Sequence, residues 1–323
     1  MHPGDDLKVA IVGATGMIGV QLLELIAARG FPHRELKLLA TESGAATTVE
    51  AAGEEHLVET FTGGADLSGV DIAFLALPAS KAAEIIAGQP GPILIDLSAA
   101  SRSPNPQIAL AAPGFTSQGK VEAMRNASVI APPHPAAHAL AACLKALGVH
   151  DGFAAATVML GASAGGREAV ATAVEQTADL LNARLDLEEG EVQRGFNVFV
   201  RENERSLAMT IEAQTAALLE QCPQLAVQVV AAPIPHGCGL AIDIPWREDG
   251  NAREMLRGAP GLLLADEGEP LGTLDAAGEE AILVTVEERP ATLSLWCVFD
   301  NSRLAALDAL WIAERIVSST PPD

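Results

Sequence analysis

The side chains of this sequence that could act as nucleophiles, acid–base groups or metal ligands include four cysteines and seven histidines. The cysteines form no CxxC pair and show no spacing typical of a metal site, so we expect reduced thiols. Only His134 and His138 have the i, i+4 spacing of one helix face, and no acidic residue completes a zinc-binding motif. We therefore predict no metal site. His134 is also enclosed by Pro133 and Pro135, which have no acid–base chemistry of their own.

A glycine-rich turn carries the clearest binding signal. Gly13, Gly16 and Gly19 follow the β-branched run Lys8–Val12 and open a segment with helical apolar spacing. Glycines between a strand and a helix let the backbone approach a pyrophosphate, and the helix N-terminus supplies amides and a positive dipole. The predicted cofactor-binding residues of this turn are Gly13, Thr15, Gly16, Met17, Ile18 and Gly19. A tight turn without a ligand is the alternative.

Glu42 gives an indication of which cofactor to expect. It follows the second predicted strand, Lys37–Ala40, where a carboxylate would accept hydrogen bonds from a ribose hydroxyl. An arginine would suit the 2′-phosphate of NADP better. The expected cofactor is NAD or NADP, and Glu42 favours NAD.

The elements that must position these residues alternate between short apolar strands and helices. Predicted strands are Lys8–Val12, Lys37–Ala40, Val70–Leu77, Ile93–Asp96 and Ser128–Ala131. This pattern predicts an α/β fold with a Rossmann-like, doubly wound parallel sheet. Longer strands then alternate with amphipathic helices, which predicts an α+β domain with a mixed sheet.

The domain boundaries follow from this change of pattern. We expect residues 1–133 with 302–323 to form the dinucleotide-binding domain, because the last helical segment returns to it. Residues 134–301 would form the second, α+β domain, which the family resemblance described below makes a substrate-like and dimerisation domain. The Gly/Ala-rich stretch 43–53 and the Glu/Gly-rich stretch 247–259 look like surface loops.

Composition limits the possible partners and location. The 323 residues include 42 acidic and 20 basic ones, and the net charge of −22 at pH 7 repels nucleic acid and anionic membranes. No apolar run reaches the roughly 18 residues of a spanning helix, and the first residues lack a signal-peptide pattern. We expect a cytoplasmic protein with neither nucleic acid nor a membrane as a partner.

Three segments, Lys8–Ser43, Ile95–Arg102 and Phe299–Glu314, resemble those of the aspartate-semialdehyde dehydrogenase family. The resemblance covers nearly the whole chain, although acetylglutamyl-phosphate reductases share the glycine turn and a similar ending. It implies a Rossmann domain completed by the C-terminal helix and an α+β domain with the substrate site and a homodimer contact. For active members it implies NADP-dependent reductive dephosphorylation of an acyl phosphate in amino-acid biosynthesis. It also places Asn301 near the nicotinamide.

The sequence departs from the family where the resemblance places the chemistry. Pro135 stands at the position of the nucleophilic cysteine, and proline has neither a thiol nor a backbone N–H for an oxyanion. Ala231 replaces the arginine for the substrate carboxylate, and Cys238 replaces the acid–base histidine. Arg102 and Glu212 remain as anion-binding and substrate-binding candidates. The pattern resembles the Usg-type paralogues, which lack the nucleophile.

Three functional hypotheses remain open from the sequence. The first is a catalytically inactive homodimer that retains a site for NAD(P) or for a small anion. The second is an active semialdehyde dehydrogenase or reductase in which Cys238 is a thiolate activated by His134, with His236 close by. The third is a reductase of another small carbonyl compound, without a covalent step, in which His134 or His236 polarises the carbonyl.

Overall fold

The computed structural model describes residues 6–41, 48–51, 53–88, 91–98, 109–184, 186–187, 190–246 and 251–318. The chain divides into two compact units. Unit 1 comprises Met1–His134 with Ala305–Asp323, and unit 2 comprises Pro135–Leu304. No described helix is both long enough and apolar enough to cross a lipid bilayer.

Unit 1 is built on a seven-stranded sheet in which every strand pair is parallel. In spatial order the strands are β5 (Glu59–Thr60), β2 (Glu35–Ala40), β1 (Lys8–Val12), β6 (Ile72–Leu75), β7 (Ile93–Asp96), β9 (Val129–Ala131) and β8 (Ala109–Leu110). The strand order reverses at β1, which lies between β2 and β6. Such a reversal is where open parallel sheets bind ligands, at the carboxyl ends of the strands. The predicted Rossmann-like sheet is confirmed.

Helices cover both faces of this sheet. The helices of this part of the chain are α1 (Met17–Arg29), α2 (Ala79–Gly88), α3 (Gln118–Met124) and the C-terminal α8 (Asn301–Val317). Ile26 of α1 and Leu310 of α8 share one apolar cluster with Ile11 of β1. Ile85 of α2 belongs to a second cluster, with Val12 of β1. The C-terminal helix therefore packs in unit 1 from Ala305 onwards.

Two predictions of surface loops were wrong for the described parts of the stretches; residues 43–47, 52 and 247–250 lie outside the described residues. Within 43–53 lies β3 (Thr48–Ala51), which pairs in antiparallel fashion with β4 (Glu54–Leu57). Val49 alternates with exposed residues and belongs to the apolar cluster of unit 1, so the strand has a buried face. Within 247–259 lies the short helix α7 (Ala252–Leu256), because the Asn251 side chain accepts a hydrogen bond from the Glu254 amide.

Unit 2 contains the predicted mixed sheet. Its six strands, in spatial order, are β11 (Gln224–Ala231), β10 (Phe153–Leu160), β12 (Cys238–Pro245), β15 (Thr292–Phe299), β14 (Ile282–Arg289) and β13 (Leu262–Leu264). The outer pairs β11/β10 and β14/β13 are parallel, and the inner pairs are antiparallel. The longer helices are α4 (Pro135–Ala146), α5 (Gly166–Leu181) and α6 (Glu202–Leu218). Thr215 of α6 donates from its hydroxyl to the Ala137 carbonyl of α4 at 3.4 Å.

Candidate functional site

Backbone hydrogen bonds to β2 hold the glycine turn that follows β1. The amides of Gly13 and Ala14 both donate to the Leu39 carbonyl of β2, at 2.7 and 3.1 Å. Gly13 has φ +95°, and a Cβ there would lie 2.2 Å from the Ala76 carbonyl oxygen. Both the dihedral angle and the contact exclude any larger residue. The turn therefore keeps its shape because this position is glycine.

The start of α1 leaves an opening suited to an anion. Gly16 is the extended N-cap residue and makes no side-chain cap, and the first turn holds no acidic residue. A Cβ on Gly19 would lie 2.2 Å from the Gly13 carbonyl oxygen, so α1 packs directly on the turn. The predicted residues Thr15, Met17 and Ile18 are half-buried at this edge. Uncapped amides at a helix N-terminus are the usual partners of a pyrophosphate.

Two predicted site residues, Glu42 and Arg102, lie outside the residues that the structure describes. The preference for NAD that was read from Glu42 stays a prediction. The same holds for the anion-binding role of Arg102.

The start of α4 is formed by a proline. The helix begins at Pro135, and proline suits the first helical position because the N–H it lacks would have no partner within the helix. Pro133 and Pro135 are buried, and His134 between them is 5% exposed. This helix start therefore presents a saturated ring, and the loss of the family's cysteine at this position stays a prediction.

Ala231, at the position of the family's arginine, ends the edge strand β11. Its amide donates to the Phe199 carbonyl at 2.9 Å, and the Phe199 amide donates back to the Ala231 carbonyl at 3.1 Å. The Ala231 side chain is buried and uncharged. This position therefore joins residue 199 to the sheet edge and provides no group for a carboxylate.

Cys238 is the first residue of β12 and is fully buried. Burial raises the pKa of its thiol to about 12; the Gly161 amide lowers the pKa in part, and the negative charge of Asp300 raises it further. His236 is exposed, and no hydrogen bond joins it to Cys238 in the part of unit 2 that the structure describes. Only the thiolate of a cysteine is nucleophilic, and the raised pKa lowers the thiolate fraction of Cys238 at neutral pH.

Asn301 at the start of α8 is held by a partner that the sequence analysis missed. The Ser163 hydroxyl donates to Asn301 Oδ1 at 2.8 Å, and both side chains are buried. The preceding Asp300 caps the helix, since its Oδ1 accepts from the amides of Ser302 and Arg303. The Asn301 amide nitrogen remains as a donor. The signal for Ser163 was its place in a turn of small residues between β10 and α5.

Glu212 on α6 has a structural partner. Its Oε1 accepts from the Val227 amide of β11 at 2.8 Å. Because β11 is an edge strand, this amide has no neighbouring strand to bond on its open side. Glu212 thus satisfies a backbone donor of the sheet edge, and its substrate-binding role stays a prediction.

Comparison with known proteins identifies relatives of this chain. The family described as Semialdehyde dehydrogenase, NAD binding domain, matches residues 8–144, which contain the glycine turn. A USG-1 protein homolog of Pseudomonas aeruginosa is 31% identical over 333 residues, which cover 96% of this chain and 98% of that protein.

Aspartate-semialdehyde dehydrogenases are similar over the same length. That of Synechocystis is 28% identical over 339 residues, covering 96% of this chain and 97% of its own. The structure of a probable aspartate-semialdehyde dehydrogenase from Pseudomonas aeruginosa matches with a TM-score of 0.84 and 29% identity, over 97% of this chain and 99% of that one. The predicted resemblance is confirmed, and the chain belongs to the family that comprises the USG-1 proteins and the aspartate-semialdehyde dehydrogenases.

Proposed function

We propose that this protein binds NAD or NADP but does not carry out the thioester chemistry of aspartate-semialdehyde dehydrogenases. The observation that carries the proposal is Pro135 at the first position of α4, where the resemblance places the nucleophile. Covalent catalysis needs a thiolate at that point and an oxyanion-binding amide beside it, and proline supplies neither.

The burial of Cys238 speaks against a relocated nucleophile. A thiol with a pKa of about 12 is almost entirely protonated at neutral pH, and a buried thiol is closed to a substrate. An activating base would have to lower this pKa. Instead, burial and the negative charge of Asp300 raise it.

Retention of cofactor binding is supported by the glycine turn. Its backbone geometry depends on Gly13 and Gly19, whose replacement would bring a Cβ within 2.2 Å of a carbonyl oxygen. The start of α1 has neither a side-chain cap nor an acidic residue to compete with a phosphate. A cytoplasmic location belongs to the same proposal and is supported by four free thiols.

The test combines binding and turnover measurements on the purified protein. Calorimetric titration with NAD and with NADP is expected to show binding of at least one. Reduction of NADP with aspartate semialdehyde and phosphate is expected to stay at the level of the buffer blank. Failure of both nucleotides to bind at millimolar concentration contradicts the first part. Turnover lost in Cys238→Ala supports a relocated nucleophile, and turnover that survives it supports a non-covalent reductase.

A pair of matched variants locates the binding. Met17→Asp puts a carboxylate in the first turn of α1. The helix dipole stabilises a carboxylate there, but the carboxylate repels a pyrophosphate. We expect at least about a tenfold loss of nucleotide affinity. Gln118→Asp makes the same change at the start of α3 and should leave the affinity unchanged. Equal affinity in both variants would place the nucleotide elsewhere.

We also propose that unit 2 forms a homodimer through exposed apolar side chains. These are Val174 and Leu181 on α5, Phe196, Val198 and Val200, and Met209 on α6. Exposed apolar groups of this size mark interfaces. Two copies with a net charge of −22 each repel one another, so burial of apolar surface must supply the attraction in the contact.

Sedimentation at micromolar concentration tests the dimer. The wild type is expected to sediment as a dimer and Phe196→Asp as a monomer. Leu274→Asp, which changes an exposed leucine elsewhere in unit 2, is the control and should stay dimeric. A compact wild-type monomer contradicts the proposal.

A further inference from the structure

A cavity of about 290 Å³ opens on unit 2 between α5 and the segment that leads into α6. None of the residues assigned above to cofactor or substrate lines it. The lining includes Glu168, Thr172 and Gln176 on one face of α5, and Glu191, Arg194 and Arg201 on the opposite side. Its size is at the small end for ligand pockets, which suits a molecule of few atoms.

Gln176 gives this cavity a fixed frame. Its side chain is 5% exposed, and its Nε2 donates to a Glu191 carboxylate oxygen at 2.7 Å. Its Oε1 accepts from the Arg194 amide at 2.7 Å. Both ends of the buried Gln176 amide thus hold residues 191–194 against α5. The backbone that carries the charged side chains of Glu191 and Arg194 is therefore held in place.

Arg201 is already engaged and forms a wall. Its guanidinium lies 3.8 Å from the Glu204 carboxylate and 5.1 Å from the centre of the Phe199 ring. Arg194 and Glu168 differ from it, because neither has an ion-pair partner among the described residues. A guanidinium and a carboxylate thus line one cavity without pairing with each other, and a gap remains between them.

The Thr172 hydroxyl is the third group available to a ligand. Helical threonines commonly donate back to a carbonyl one turn earlier, as Thr177 does to Ala173 at 2.7 Å and Thr210 to Ser206 at 3.1 Å. Thr172 makes no such bond in the described part of α5. Its hydroxyl lies on the same helix face as Glu168.

The charges of the cavity select the ligand. The lining carries two carboxylates, Glu168 and Glu191, against two guanidinium groups, Arg194 and Arg201, so it favours neither a free anion nor a free cation. A zwitterion, which carries both charges but no net charge, suits this lining and can bridge the gap between Arg194 and Glu168. We propose that this cavity binds a small α-amino acid, with its carboxylate on Arg194 and Thr172 and its ammonium group on Glu168.

Saturation-transfer NMR with L-alanine tests the proposal on the full chain. L-Alaninamide keeps the ammonium group without the carboxylate, and propionate keeps the carboxylate without the ammonium group. Transfer to L-alanine at millimolar concentration is expected, with far weaker transfer to either analogue. Arg194→Gln and Glu168→Gln should each weaken alanine binding about tenfold or more, because each removes a charge-assisted contact.

Arg205→Gln is the matched control. Arg205 is an exposed arginine on α6 that does not line the cavity, so alanine binding should be unchanged. The three substituted side chains lie at the surface or half-exposed, and thermal melts are expected to coincide with that of the wild type. No transfer to L-alanine, equal transfer to propionate, or binding that survives both cavity variants would overturn the proposal.

Discussion

The glycine turn of unit 1 differs from the positions of unit 2 at which the family resemblance places catalysis in what its residues provide. In unit 1, Gly13 and Gly19 fit so closely that a single Cβ would lie 2.2 Å from a backbone oxygen. In unit 2, Pro135, Ala231 and Cys238 are also buried, and the proposed loss of the thioester chemistry rests on these three positions. On the function proposed above, the geometry of the turn serves binding, and unit 2 lacks the side chains of a covalent step.

The difference shows that packing and chemistry are separate requirements. Pro135 starts a helix well, Ala231 pairs with the Phe199 segment, and Cys238 fills a dry site at the start of β12. Each residue satisfies the fold at its position. Under the proposed function, the three positions of unit 2 satisfy the fold without the reaction, whereas a backbone turn around glycine has no such freedom.

The largest expected effect concerns the reactivity of Cys238. Because burial raises its pKa from the usual value of 9.0 to about 12, its thiolate fraction at neutral pH is about a thousandfold below that of an ordinary thiol. Alkylation by iodoacetamide, followed by peptide mass spectrometry, should label half-exposed Cys222 long before Cys238. The rate at Cys238 should rise as the pH rises towards its pKa.

Cys143 controls for protection by burial alone, since it is also fully buried. Slow labelling of both residues supports the comparison between the two regions. Labelling of Cys238 at neutral pH as fast as that of Cys222 would show an activated thiol and break the comparison.

The second prediction tests the rigidity of the turn in unit 1. Gly19→Ala places a Cβ against the backbone of Gly13 and Ala14, and we expect a loss of about 3 kcal/mol in the free energy of unfolding. Gly119→Ala is the matched control, because this helical glycine has nothing within 4 Å of the added Cβ. It should stabilise the protein by up to about 1 kcal/mol. Urea denaturation followed by circular dichroism measures both, and equal stability of the two variants would contradict the packing argument.

Much of the fold could be predicted because its signals are local. The strand β1, the glycine turn and α8 each show a periodicity or a motif within a few residues. The hairpin β3 and β4 was missed because its residues are mostly small or charged, and only Val49 and Ala51 mark its buried face. Its stability comes from packing in unit 1, which a short window does not contain.

The candidate site was harder to predict because its properties arise from tertiary contacts. Cys238 was a plausible nucleophile in the sequence, and its raised pKa depends on burial between β10 and β15. The bond from Ser163 to Asn301 joins residues far apart in the chain. Position in the family motif identified Asn301, whereas the turn of small residues around Ser163 does not specify which distant side chain it bonds.

The smallest expected effect concerns Glu212, a residue that matches the family yet bonds the Val227 amide. Glu212→Ala leaves this amide without its acceptor and should lower the free energy of unfolding by about 1–2 kcal/mol. Glu212→Gln keeps an oxygen acceptor and should cost less. Glu175→Gln, at an exposed glutamate on α5, should change little. If urea denaturation shows Glu212→Ala to be as stable as the wild type, the carboxylate is kept for a ligand, and unit 2 retains more of its site than Pro135 and Ala231 indicate.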